Sequence, residues 1–277
     1  MWFILTILAV LFVAIDIRST PESPVLKWGF ILVTLFTGPL GALLYVLGCR
    51  EPLPGLHQKY VAAQWRQALG SAMHCVAGDG VGIITGAVIG GFLVLPMPAD
   101  ASLEYVLGFL FGWGIFQALF MRDMAGASYI KSLQVTFIPE LLSMNCLMAA
   151  MIPVAAIAKA HDSSARNPAS PVFWFVMSMA LTLGAFAAYP MNWWLVKHGL
   201  KHGMLTVRPA GARDQGEPMV AHGMPHMTEG AMPISETGGH SQHRAVHAGA
   251  PPAIGRMTIV SFVALAAGVI VAAFAAM

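Results

Sequence analysis

The sequence predicts an all-α fold: a polytopic transmembrane helix bundle of about seven spans. Of its 277 residues, 57% are hydrophobic and only 10% are charged, whereas a soluble domain has roughly 25% charged residues. The mean hydropathy is +0.70. Apolar runs long enough to cross a hydrocarbon core of roughly 30 Å, which takes about 20 residues, recur along the chain. The sequence contains no P-loop, GxSxG, HExxH or CxxC motif, so we do not predict an enzyme.

Seven stretches are predicted to cross the bilayer: 1–15, 26–48, 72–95, 103–121, 133–158, 171–196 and 257–277. The first lacks the basic start and small-residue cleavage site of a signal peptide, so we keep it as a span; six remain if it is cleaved or interfacial. Spans one to six form a membrane bundle over residues 1–206. Residues 207–256 form a hydrophilic loop with a composition typical of disorder, and the last span, 257–277, follows. Gly38-Pro39 should kink or unwind the second span.

The distribution of Lys and Arg predicts the orientation. The second, fourth and sixth connections between spans hold 11 of the 15 Lys and Arg residues, and such an excess marks cytoplasmic loops. With seven spans this places the N-terminus of the multi-pass protein in the cytoplasm. The predicted partner is the lipid bilayer, and the sequence shows no pattern typical of nucleic-acid binding. Three cysteines without CxxC spacing suggest free thiols.

The third span is the most informative stretch. It carries His74, Cys75 and Asp79 near one end, and ionisable groups in hydrocarbon are costly enough to suggest a functional site. Glycines 78, 82, 86 and 90 recur every four residues, so they form a small-residue stripe on one helix face. This stripe could receive the fourth span, which has its own pair, Gly108 and Gly112. It could equally receive a membrane protein partner or a second copy of this chain, through the face formed by Gly78, Gly82, Gly86 and Gly90.

Two further helices carry candidate metal ligands. In the fifth span, Glu140 and Met144 lie one turn apart on one face; the glutamate needs a partner or a proton, whereas the methionine could simply fill the core. After the sixth span, His198 and His202 are predicted one helical turn apart, a spacing that can chelate a metal. The alternative is a basic turn, with Lys197 and Lys201, that reaches towards lipid headgroups.

Residues 219–247 mix thioether and imidazole side chains in one hydrophilic tract. Thioethers suit Cu(I), and imidazole suits copper, zinc and nickel, so copper is the only cofactor that this tract suggests. The alternative is an incidental low-complexity loop. The candidate ligands of this Met/His tract are Met219, His222, Met224, His226, Met227, His240, His243 and His247.

The predicted topology places several polar groups at similar depths near the inner leaflet. His74, Cys75 and Asp79 come from the third span, and Glu140 and Met144 come from the fifth. If they converge, they form a cation site in the inner half of the bundle. Depth alone does not fix the rotation of the helices. The same groups could instead form buried hydrogen bonds that only hold the helices together.

Two segments and the terminal hydrophobic helix resemble a family of bacterial integral-membrane proteins catalogued as domain of unknown function 4396. The segments are SAMHCVAGD and YPMNWWLVKHGLKHGM, and the similarity runs from Trp65 to the C-terminus. The resemblance implies a multi-spanning inner-membrane protein and brings no reaction, substrate or catalytic residue with it. The Met/His tract lies outside the resembling segments.

Three functions are compatible with the sequence. The first is handling or transport of a transition-metal cation, with copper favoured. The second is a proton- or cation-coupled transporter that uses no metal, with Asp79 and Glu140 titrating. The third is a non-transporting membrane subunit or assembly factor, for which the glycine stripe is a docking face.

Overall fold

The computed structural model describes residues 1–53, 55–125, 128–204 and 253–275, with only the backbone for 122–125. Every regular element in these ranges is helical, which confirms the all-α prediction. Six helices are long and apolar enough to cross a membrane. The Met/His tract lies outside the described residues. The helices are α1 Trp2–Asp16, α2 Pro24–Thr37, α3 Pro39–Gly48, α4 His57–Val61, α5 Gln64–Phe92, α6 Met97–Phe109, α7 Ala118–Ala125, α8 Tyr129–His161, α9 Pro171–Lys197 and α10 Ile254–Ala275, and a π-helical segment, Leu110–Gln117, joins α6 to α7.

The predicted second span, 26–48, is not one helix. It is divided into α2, of 14 residues, and α3, of 10 residues, and at about 1.5 Å per residue neither can cross a core of roughly 30 Å. Gly38 ends α2 with a positive φ of 63°, and Pro39 begins α3. The Gly-Pro pair was predicted to kink or unwind a span, and in the structure it reverses the chain.

The contacts of α2 and α3 show this reversal. A β-carbon added to Gly41 would lie 2.6 Å from Cα of Thr34, although seven residues of straight helix rise about 10 Å. At the far end of α3, Arg50 pairs with Asp16 at 2.9 Å, and Asp16 ends α1. Helices α2 and α3 therefore form a hairpin, Pro24–Gly48, that enters and leaves the bundle on the same side.

The hairpin determines which connections share a side of the bundle. The described residues of segments 17–63, 122–128 and 198–253 lie on one side, which we call the basic face, and 93–96 and 162–170 lie on the opposite face. On the basic face, the carbonyl oxygen of Trp65 at the start of α5 accepts a hydrogen bond from the hydroxyl of Tyr189 near the end of α9. On the opposite face, Lys159 at the end of α8 donates to Asp100 at the start of α6. Among the described residues, every Lys and Arg except Lys159 and Arg166 lies towards the basic face.

The glycine stripe of α5 receives α6 and the π-helical segment of the same chain. A β-carbon at Gly82 would lie 2.1 Å from the carbonyl oxygen of Leu107, and one at Gly86 would lie 2.8 Å from Cα of Glu104. The close approach to the fourth span, through Gly108 and its neighbours, is therefore confirmed. Since α6 covers the stripe, this face does not present itself to a second protein in the structure.

Candidate functional site

Six polar side chains meet inside the bundle, in the half nearer the basic face. All are at most 8% exposed, and four separate segments supply them. Helix α5 contributes Cys75 and Asp79, the π-helical segment Gln117, α8 Glu140, and α9 with the turn after it Asn192 and Lys201. We call this set the buried ion cluster: Cys75, Asp79, Gln117, Glu140, Asn192 and Lys201.

Lys201 is the only cation of the buried ion cluster. Its Nζ lies 2.9 Å from Oε2 of Glu140 and donates to Oδ1 of Asn192 at 3.1 Å and to the sulfur of Cys75. Burial alone would lower the pKa of this lysine, but Cys75 and Glu140 raise it above its ordinary value. Lys201 is therefore an ammonium group that is compensated by Glu140.

A glycine places Lys201 in the cluster. Helix α9 ends at Lys197, and Gly199 follows with φ of 68°. The amide of Leu200 donates to the carbonyl of Leu195 at 2.9 Å, and the amide of Gly199 to that of Val196 at 3.1 Å. This is the Schellman arrangement, in which glycine in the left-handed region ends a helix. The chain then turns back, and the side chain of Lys201 enters the bundle.

The same turn separates the two histidines that were predicted to share a helix face. His198 is exposed and its Nδ1 lies 2.8 Å from the carbonyl oxygen of Trp194. His202 lies beyond the helix, where burial lowers its pKa. The i, i+4 geometry of a chelating pair is absent here because the helix ends at Lys197.

Glu140 is held by donors on one of its oxygen atoms. Oε2 accepts from Nε2 of Gln117 at 2.9 Å and from the Cys75 thiol at 3.3 Å, in addition to the ion pair with Lys201. Asn192 is held in turn, because its Nδ2 donates to Oγ of Ser143 at 2.8 Å. Oε1 of Glu140, in contrast, receives no donor from the described residues.

Asp79 faces Glu140 across Gly112. A β-carbon at Gly112 would lie 1.9 Å from Oδ1 of Asp79 and 2.9 Å from Oε1 of Glu140, so both carboxyl groups border this glycine. Asp79 lies within hydrogen-bonding reach of Glu140, and no donor among the described residues reaches its two oxygen atoms. Two carboxyl groups can share a hydrogen bond only when one of them is protonated. With two acids and one ammonium, a single proton makes the cluster neutral.

Two of the predicted ligands lie outside the cluster. The ring of His74 packs against Phe120 and Phe116, with centroid distances of 4.5 and 5.9 Å, and hydrogen-bonds the backbone of Phe116. Met144 is fully buried among apolar side chains, against Gly108. The structure therefore brings together Cys75, Asp79 and Glu140 as predicted, and it places His74 and Met144 elsewhere.

Polar groups continue from the buried ion cluster towards both faces. A cavity of about 10 Å³, lined by residues that include His74, Gln117 and His202, lies on the side of the basic face. On the other side, the hydroxyl of Tyr105 donates to Oδ1 of Asn145 at 2.6 Å. Beyond this pair is a second buried ionic group, formed by Lys159 with Asp100 at 2.7 Å and with Glu104 at 2.9 Å.

A separate set of three side chains, of types that can bind a metal ion, lies at the basic face. Ligand atoms of Glu22, Cys49 and His57 all lie within 4.8 Å of one another, and all three residues are buried. No other such trio of His, Cys, Asp or Glu occurs among the described residues. This trio was not predicted from the sequence, because its members are far apart in the chain and meet only through the hairpin.

Comparison with known proteins identifies a family. No curated protein and no solved structure matches the chain. Residues 64–201 match the family described as Domain of unknown function (DUF4396). The match begins next to Trp65, as the resemblance predicted, but it ends at Lys201 and not at the C-terminus, so the Met/His tract and α10 lie outside it. All six residues of the buried ion cluster lie within the matched residues, and through this region the chain belongs to the DUF4396 family.

Proposed function

We propose that this protein is a proton-coupled transporter of a bacterial inner membrane, in which Asp79 and Glu140 share the exchangeable proton. One observation carries the proposal: the buried ion cluster contains two acids and one ammonium, and Asp79 lies against Glu140 while no donor among the described residues reaches its oxygen atoms. An unpaired carboxylate in hydrocarbon is costly. A proton on the pair removes that cost, and its release requires contact with water or another acceptor.

The arrangement favours a proton over a metal ion at this site. Lys201 and Gln117 already hold Oε2 of Glu140, and the charge of Lys201 repels a divalent cation from the same place. His74 and Met144, which would complete a metal site, face other neighbours. Copper handling then depends on the Met/His tract, which is outside the described residues, and it is the less favoured function.

Polar side chains on both sides of the pair support a route for the proton. His202, His74 and Gln117 surround the small cavity towards the basic face. Tyr105 and Asn145 lie towards the opposite face, followed by Glu104 with Lys159. Chains of titratable groups of this kind are typical of proton relays in membrane proteins.

The excess of Lys and Arg favours a cytoplasmic position for the basic face. Because the Pro24–Gly48 hairpin returns to that face, α1 must then begin on the other side. We therefore propose that Met1 lies outside the cytoplasm, which revises the cytoplasmic N-terminus predicted from seven spans. The positions of the other cytoplasmic connections are unchanged by this revision.

Infrared spectroscopy of the purified protein tests the proton directly. A protonated carboxyl group has a C=O stretching band that a carboxylate lacks. We expect this band in the wild-type protein at neutral pH, and we expect Asp79→Asn to remove it. Asp162→Asn is the matched control, since Asp162 is exposed and Asn can keep its cap on Ser164.

Proton uptake into liposomes that contain the protein tests the transport itself. With a membrane potential imposed, we expect uptake by the wild-type protein and by Asp162→Asn, and at least a tenfold slower uptake by Asp79→Asn and Glu140→Gln. Uptake that persists in both acid variants would refute the proposal. A carboxyl band without any uptake in the wild type would show that the pair only holds the helices together.

A further inference from the structure

We propose that Glu22, Cys49 and His57 form a zinc site at the base of the α2–α3 hairpin. One ligand comes from each of three segments: Glu22 from the loop before α2, Cys49 from the residue after α3, and His57 from the start of α4. This proposal does not depend on the proposed function, because it concerns a different part of the molecule and its test measures metal binding.

The geometry of the trio suits a tetrahedral ion. Nε2 of His57 lies 3.4 Å from Oε1 of Glu22, and two ligands about 2.1 Å from a zinc ion in tetrahedral geometry lie about 3.4 Å apart. One ligand atom of each residue, with Cys49 contributing its sulfur, lies within 4.8 Å of the other two, so small movements of the side chains bring all three ligands to bonding distance. A water molecule can supply the fourth ligand, as in other three-ligand zinc sites.

The orientation of His57 supports the same conclusion. Its ring hydrogen-bonds the backbone of Cys49, and since Nε2 faces Glu22, the nitrogen that donates to this backbone is Nδ1. Histidines that bind metals usually donate their other ring nitrogen to a carbonyl or a carboxylate in this way.

The charges and the types of ligand favour Zn²⁺ over other ions. A thiolate and a carboxylate neutralise a divalent cation, which matters because Glu22, Cys49 and His57 are each at most 4% exposed. Zinc accepts sulfur, nitrogen and oxygen together, whereas a carboxylate oxygen is a poor ligand for Cu(I). Binding must displace the proton of the Cys49 thiol, whose pKa burial raises, and a bound metal ion supplies the energy for that step.

Titration of the metal-free protein with Co²⁺, followed by displacement with Zn²⁺, tests the site. Tetrahedral Co²⁺ bound to a thiolate has visible bands and a sulfur-to-metal charge-transfer band. We expect one such Co²⁺ per chain in the full-length protein and in a variant that lacks 219–247, which removes the competing Met/His tract. We expect Cys49→Ser to abolish the charge-transfer band and to weaken Zn²⁺ binding at least 100-fold.

Matched variants show whether the charge-transfer band depends on this trio. Cys146→Ser removes another buried thiol and should leave both bands unchanged. His57→Gln keeps the thiolate and should weaken Zn²⁺ binding at least tenfold, so it replaces Cys49→Ser if that variant does not fold. A wild-type protein without a charge-transfer band would overturn the proposal and leave Glu22 and His57 as a simple polar contact. A band that survives both Cys49→Ser and His57→Gln would also overturn it.

Discussion

Lys201 and Glu140 form an ion pair 2.9 Å long in which the lysine side chain is 4% exposed and the glutamate side chain is fully buried. The pair joins the turn after α9 to the middle of α8. It leaves Asp79 as the second acid beside a single ammonium group. The contribution of this pair to stability and the packing of Asp79 against Gly112 can be measured separately.

Removal of Lys201 alone should destabilise the protein strongly. Lys201→Met leaves Glu140 buried without its partner, and such a change typically costs about 3–5 kcal/mol. The double variant Lys201→Met/Glu140→Gln should recover most of that loss, since a buried pair can be replaced by neutral groups at little cost. Unfolding in mixed detergent measures both effects, with the exposed Lys197→Met as the control. Equal losses in the single and double variants would mean that the unpaired charge of Glu140 is not the cause.

Substitution of Gly112 should disturb the pair of acids. The added β-carbon of Gly112→Ala would lie 1.9 Å from Oδ1 of Asp79, and overpacking of this kind typically costs about 1–3 kcal/mol. Gly114→Ala is the matched control in the same π-helical segment, because its β-carbon would meet nothing within 4 Å. We expect a lower melting temperature and a shifted carboxyl band for Gly112→Ala alone. Identical behaviour of the two variants would show that Asp79 does not lie against Gly112.

The hairpin makes a clear prediction about topology. Single cysteines at exposed Ser19 and Leu53 should react with a membrane-impermeant maleimide from the same side of the membrane, since α2 and α3 return to the face they left. Ala169→Cys, exposed on the opposite face, is the control and should react only from the other side. The native cysteines are buried and should react slowly. Labelling of Ser19→Cys and Leu53→Cys from opposite sides would restore the seven-span topology.

The affinity for zinc should decrease as the pH falls. Zn²⁺ must displace the proton of Cys49, whose pKa is raised, so each unit of decrease below neutral pH should weaken binding about tenfold. His57 adds to this slope only at a lower pH, because burial lowers its pKa. Among the described residues, other charges that act on the site include Lys27 from α2 and Glu51 from the segment before α4. Competition with a chelator between about pH 8 and pH 6 measures the slope, and an affinity independent of pH would be inconsistent with a thiolate ligand.

The sequence predicted the acids of the buried ion cluster because a carboxyl group in an apolar helix is costly wherever it faces. It could not determine helix rotation, so His74 and Met144 were included although they face other neighbours. Lys201 was missed as a member of the cluster because a helix was continued through Gly199. The signal was nevertheless present: a glycine followed by a leucine after a helical pattern is typical of the Schellman end.

The sequence did not predict the hairpin for a different reason. A reversed pair of short helices and one long span can have the same apolar composition and length, so hydropathy does not distinguish them. The difference lies in contacts between distant residues, such as Arg50 with Asp16 and Gly41 with Thr34. Once the chain reverses, Glu22, Cys49 and His57 become neighbours, which no spacing rule anticipates.

The contact between α5 and α6 also limits how the protein can move. At Gly82 and Gly86 the backbone of α5 lies directly against the backbone of α6, next to Leu107 and Glu104, with no side chain between them that could change its rotamer. A sliding motion would drive Gly82 into the carbonyl of Leu107, so the two helices must shift as one stiff block that carries Asp79 with it. Any opening that admits water to the acids from alternate sides therefore depends on the elements around this block.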